Sequence, residues 1–189
     1  MQTRNRKSRA AATLLLASIG AALAVEPEPA QDPCNFHSSM PLLERGAYKD
    51  HIYTEGDHDN ATEVAELAAN VKIEIASFGC VDSSTRTYTL TYSDAALPRR
   101  TLAQWAGFVR NALDGLRYIA GRKDEVRETI AYAEEVAATR GSGDKRVRCA
   151  DDSVPADGIC AWSTGGGHAI EVRRTQGVVQ VILSESSSR

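Results

Sequence analysis

The sequence predicts an α+β fold: an antiparallel sheet, made of an N-terminal hairpin and a C-terminal four-stranded meander, packed against a central helix pair and tied by two disulfides. Three observations predict it. Apolar residues alternate at every second position over 71–75 and 87–92. They recur every third or fourth position between 102 and 120. Beyond residue 144, short strand-like runs are separated by turn residues. A chain of 189 residues suits one domain and leaves little room for two.

Taken in order, residues 1–24 read as a signal peptide. Arg4, Arg6, Lys7 and Arg9 form a basic start, Ala10 to Leu23 an apolar run, and Ala22 and Ala24 put small residues where a signal peptidase inspects them. The apolar run is about 14 residues, short of the ~20 that a bilayer span needs. Residues 25–33 (VEPEPAQDP) read as a flexible leader, and 34–183 as a single α+β domain. From Cys34 to Gly56 no clean period emerges beyond a short helix or turn around Pro41–Arg45. Asn60 followed by Glu63 resembles a capped helix start, with Val64, Leu67 and Ala68 on one face, so a short helix is expected at 61–69.

Val71, Ile73 and Ile75 then share one face of a strand, as do Tyr88, Leu90 and Tyr92, and the turn material between them makes a hairpin. Thr101 with Gln104 forms a capping box. The helix it opens carries Leu102, Trp105, Ala106, Val109, Leu113, Leu116 and Ala120 in one stripe, with Gly121 as its C-terminal cap. A second helix begins near Asp124, with a thin stripe of Val126, Ile130, Ala133 and Ala137, and Gly141 ends it. Lys145–Cys149, Gly158–Ser163, His168–Arg174 and Val178–Leu183 read as the meander, and 184–189 as a disordered tail.

Charge and cysteines bear on where the chain works. Without residues 1–24 it keeps 18 Lys and Arg against 25 Asp and Glu, a charge of −7. Such a surface repels phosphates, which argues against nucleic acid and anionic membranes as partners. The expected location is the periplasm, with secretion as the alternative, and no membrane association after signal cleavage. Four cysteines in an oxidising compartment suit disulfides, with Cys149–Cys160 closing a short loop and Cys34–Cys80 tying the N-terminal segment. No two cysteines stand a few residues apart, as a zinc knuckle requires.

Candidate chemistry is sparse. His37, His51, His58 and His168 lie 14, 7 and 110 residues apart, which is not zinc-hydrolase spacing. Asp57, Asp59 and Glu63 concentrate oxygen ligands, but the loop lacks the Gly and Glu positions of an EF-hand, so no metal is expected. Gly165–Gly167 leads into a strand pattern rather than a helix, which suits a hairpin tip better than a phosphate cradle. No Gly-x-Ser-x-Gly elbow occurs. Neither a catalytic residue nor a cofactor is assigned. Trp162, beside Cys160 and the glycine run, reads equally as a partner contact or as a core residue on the disulfide.

The expectation from this convergence is a binding protein of inhibitor or immunity type. It would neutralise a basic, toxic or cell-wall-lytic enzyme, with Asp57, His58, Asp59, Trp162 and His168 as contact candidates. A small hydrolase using scattered carboxylates or histidine, and a ligand-binding domain of the envelope, are the alternatives.

Overall fold

The computed structural model describes residues 40–56, 60–80, 83–93, 100–139, 158–163 and 167–188. All of them fall within one unit, Gln31–Arg189. The chain forms β1 (Lys49–Glu55), β2 (Ala61–Ala68), β3 (Val71–Cys80) and β4 (Ser83–Ser93), then α1 (Leu102–Asp114). A 3-10 turn (Arg122–Val126) leads into α2 (Arg127–Thr139), followed by β5 (Gly158–Ser163), β6 (His168–Thr175) and β7 (Val178–Ser188). The fold is α+β; the described residues hold two α-helices and one antiparallel sheet in the order β1-β2-β3-β4-β7-β6-β5.

The expected hairpin is β3 and β4, in register from Val71↔Tyr92 to Cys80↔Ser83. Its alternation points Ile73, Ile75, Tyr88, Leu90 and Tyr92 into the core. The meander is not a separate layer: β7 pairs with β4 from Ser93↔Val178 to Ser83↔Ser188 and fuses both halves into one sheet. Val179, Val181, Leu183, Ile170, Val172, Cys160 and Trp162 thereby extend the same buried face. Both helices cover it with Trp105, Ala106, Val109, Leu113, Tyr132, Ala133 and Val136. The α2 stripe is deeper than the thin one expected, because Tyr132 and Val136 join it.

Four expectations are corrected. Residues 61–68 are a strand, not a helix. Ala, Glu and Leu favour helix in isolation, but β1 and β3 supply a ladder on both sides, and Ala61, Glu63 and Ala65 alternate inward. The stretch 49–55, which shows no clean period, is the strand β1, with a register irregularity between Lys49 and Ile52 and Asp50 at φ 52. The first helix stops at Asp114 rather than running to 120. Gly115 caps it by donating to Asn111 O at 3.1 Å, and Gly121 (φ 85) instead opens the 3-10 turn. The tail at 184–188 is strand, because β4 is long enough to pair with it to Ser188.

Leu42 and Leu43 are core residues held by a bridge from Leu43 to Tyr118, with the expected turn at Arg45–Gly46 beside them. The stretches expected to be a signal peptide (1–24), a leader (25–33) and a strand (145–149), and Cys34 and Cys149 of the two expected disulfides, lie outside the described residues. No described helix is long and apolar enough to cross a membrane.

Candidate functional site

Because side chains alternate along each strand, one cross-strand row on the helix side passes through Ala61, Ser77, Arg86, Glu185 and His168. This row lies next to the buried row of Glu63, Ile75, Tyr88, Leu183, Ile170 and Trp162, apolar except for Glu63 at its end. It marks where the core gives way to charge. Arg86 is its hub. Its Nε donates to Ser77 Oγ (3.3 Å), one terminal nitrogen donates to Glu125 Oε2 (3.3 Å), and the other lies 3.5 Å from Glu185 Oε1. Glu185 also accepts hydrogen bonds from the Tyr88 hydroxyl (3.4 Å) and from the Thr129 hydroxyl of α2. Arg122 closes the line: its Nε is 3.0 Å from Glu125 Oε1, and a terminal nitrogen donates to Met40 O at 2.9 Å.

Electrostatics follow from this packing. Burial works against the Arg86 charge, but Tyr88, Glu185 and Glu125 outweigh it and hold the guanidinium above its ordinary value. Burial, and then the Glu185 charge, push the Tyr88 phenol well above the usual tyrosine range. A carboxylate that receives Arg86, Tyr88 and Thr129 together holds its neighbours in place rather than presenting a lone pair to solvent.

A second polar centre lies under β1 and β2. Glu63 is buried and accepts the backbone N–H groups of Leu42 (2.8 Å) and Leu43 (3.0 Å). Its Oε1 is also 2.7 Å from His51 Nε2. This carboxylate anchors the segment before β1 onto the sheet. Neighbouring Tyr53 places its hydroxyl in a buried position without a hydrogen-bond partner among the described residues.

Of the contact candidates, Asp57, His58 and Asp59 lie outside the described residues. Of the two readings of Trp162, its burial fits the core residue: it is 2% exposed, with its ring centroid 5.4 Å from that of Tyr132. His168 is half-buried, stacked on Tyr132 at 5.0 Å and 28°, and is the cross-strand neighbour of Glu185. The structure therefore brings Trp162 and His168 together through Tyr132, whose hydroxyl donates to Trp162 O at 3.3 Å. The glycine run is only partly described. Gly167, at φ 84, is held by its carbonyl, which accepts from Ser186 N at 2.7 Å.

Arg86, Glu185, Glu125 and Thr129 are not among the candidates read from the sequence, and Glu63 and His51 enter there only as metal ligands weighed and set aside, not as each other's partners. For Arg86 a signal existed in the sequence: it occupies the inward parity of its strand, where a charge must find a buried partner. No group of three or more His, Cys, Asp or Glu able to hold a metal ion occurs among the described residues. Comparison of the chain with protein-family models, curated proteins and solved structures found no match.

Proposed function

We propose that the chain is an exported binding protein of inhibitor or immunity type, acting in the periplasm or after secretion, that neutralises a basic enzyme such as one degrading the cell wall. The observation that carries this reading is that the charged groups on the helix side engage one another: Arg86 with Glu125 and Glu185, Arg122 with Glu125, His51 with Glu63. They make a rigid frame, which suits a preorganised binding surface better than turnover. The opposite face of the sheet carries Thr87, Thr89, Thr91, Gln180 and Ile182, all half-buried, with Phe78 exposed among them. This face is the contact surface we assign, with His168 on the helix side, and Asp57, His58 and Asp59 outside the described residues, kept as separate contact candidates. A mature charge of −7 would steer it onto a cationic partner.

We further propose the pairings Cys149–Cys160 and Cys34–Cys80. Supporting them, Cys160 is fully buried, and no free cysteine occurs among the described residues. Peptide mapping without reduction tests the pairing.

The functional test is capture by the tagged, oxidised mature chain from its host's envelope extract, followed by assay of the bound enzyme. The expected result is one stoichiometric enzyme whose activity falls on binding and returns with Thr89→Arg. Absence of a protein partner at physiological salt overturns the reading.

A further inference from the structure

Among the described residues β1 is an edge of the sheet, and its outer side has a definite hydrogen-bonding phase. β1 pairs with β2 in one register from Ile52↔Val64 to Glu55↔Ala61. Gly56 N donates to Asn60 O at 2.7 Å, one step further along that register. Opposite residues of an antiparallel pair alternate between exchanging hydrogen bonds and exchanging none. Counting back from Gly56, Thr54 and Ile52 bond to β2, while the N–H and C=O groups of Tyr53 and Glu55 point away from it. An edge of this kind is a template for another strand unless something blunts it. Here the blunting is confined to one end, where Asp50 has φ 52 and the register shifts between Lys49 and Ile52. Beyond it Ile52 stands 60% exposed on the strand, uncovered by its own fold.

The chemistry of this edge says what kind of strand completes it. A second β1 laid antiparallel about a two-fold axis at Tyr53 puts outward N–H and C=O groups against each other at the centre. In that register Ile52 faces Thr54 of the second copy, on the side of the sheet away from the helices, and Tyr53 faces Tyr53 on the other. β-Branched and aromatic cross-strand pairs of this kind stabilise a ladder. Charge selects the same arrangement. Glu55 then faces His51 and Asp50 faces Gly56, so neither acid of β1 meets another acid. A parallel pairing would oppose Lys49 to Lys49, Asp50 to Asp50 and Glu55 to Glu55, and like charges directly opposite destabilise. Centring on Thr54 instead would leave Ile52 facing Gly56, with no side chain to cover it.

We infer that the open edge of β1 binds a second copy of this chain, strand to strand, with Tyr53 on the two-fold axis, so that two sheets join into one. A ladder of about five residues buries less area than a permanent dimer needs, so the association is weak and depends on concentration. The edge is separate from the face assigned to an enzyme partner, and either reading can fail without the other.

The test is sedimentation of the chain without residues 1–24 from about 5 μM to about 1 mM, with amide exchange read by NMR at both ends of the range. A monomer–dimer equilibrium with Kd of about 100 μM is expected. At 1 mM it leaves about a fifth of the chain monomeric, so the Tyr53 and Glu55 amides should exchange about fivefold more slowly than in dilute solution. Glu55→Pro removes an N–H that β2 does not use, so it should keep the circular dichroism of the fold and weaken the dimer by about tenfold. Ile52→Lys, at a side chain already exposed, is the second variant and should weaken it as well. The inference is overturned if the chain stays monomeric to about 1 mM, if it dimerises with the Tyr53 and Glu55 amides unchanged, or if both variants dimerise like the parent. It is also overturned if a scrambled peptide of residues 50–56 protects these amides as well as the peptide in native order, since the edge would then take any extended segment.

Discussion

Glu63 shows how one buried side chain can organise a segment that has no regular structure. Two backbone N–H groups and an imidazole nitrogen converge on it, and they are what position Leu42 and Leu43 in the core. Glu63→Ala would leave all three without their acceptor and should cost about 3 kcal/mol in urea denaturation, with Glu63→Gln costing less. An unchanged midpoint for Glu63→Ala would refute the anchoring role. Glycines offer a paired contrast. Gly167 and Gly121 both have positive φ, but a Cβ on Gly167 would stand 2.2 Å from Ser186 O, while one on Gly121 meets nothing within 4 Å. Gly121→Ala should therefore cost about 1 kcal/mol, and Gly167→Ala about 2 kcal/mol or more. Equal thermal shifts in the two variants would contradict the packing of β6 against β7. At this scale the sequence was partly readable. Tyr88, Leu90 and Tyr92 announce their inward positions by alternation, and Arg86 follows by parity. Its partner Glu185 is 99 residues away and gives no local sign.

Among the elements, those with one dominant period were readable and those with two were not. β3, β4 and the start of α1 with its Thr101 capping box lie where the pattern places them. Residues 61–68 satisfy a helical stripe through Val64, Leu67 and Ala68 and a strand alternation through Ala61, Glu63 and Ala65; only the flanking strands decide between them. The serine-rich end of β7 is a similar case, since composition suggests fraying while the length of β4 extends the ladder. Deleting residues 184–189 removes Glu185 from Arg86, Tyr88 and Thr129 as well as the ladder from Ser83 to Thr87. The expected loss is at least about 2 kcal/mol, with amide protection of 83–87 falling in hydrogen exchange. A deletion as stable as the parent would restore the reading of a disordered tail.

For the whole molecule, a sheet covered by helices on one side draws most of its tyrosines inward. Burial raises the phenols of Tyr88, Tyr92, Tyr118 and Tyr132 well above the ordinary range. The folded chain then holds these protons where the unfolded chain releases them. The resulting stability is complete below about pH 10 and is lost as pH rises through the folded values. In an alkaline titration the phenolate absorbance of these four should appear together with the loss of near-ultraviolet dichroism. Smooth titration near the ordinary tyrosine value, with the fold intact, would contradict it.

The sequence by itself determined the α+β class, the hairpin, two helices at the right places and the apolar faces they share, because these follow from periodicity within a few residues. Tertiary structure alone decided that one sheet runs through β4 and β7, that 61–68 is a strand, that Trp162 is core, and that Arg86 meets Glu185. Each of these depends on pairing between segments far apart in the chain, where free energy comes from a partner that no local window contains.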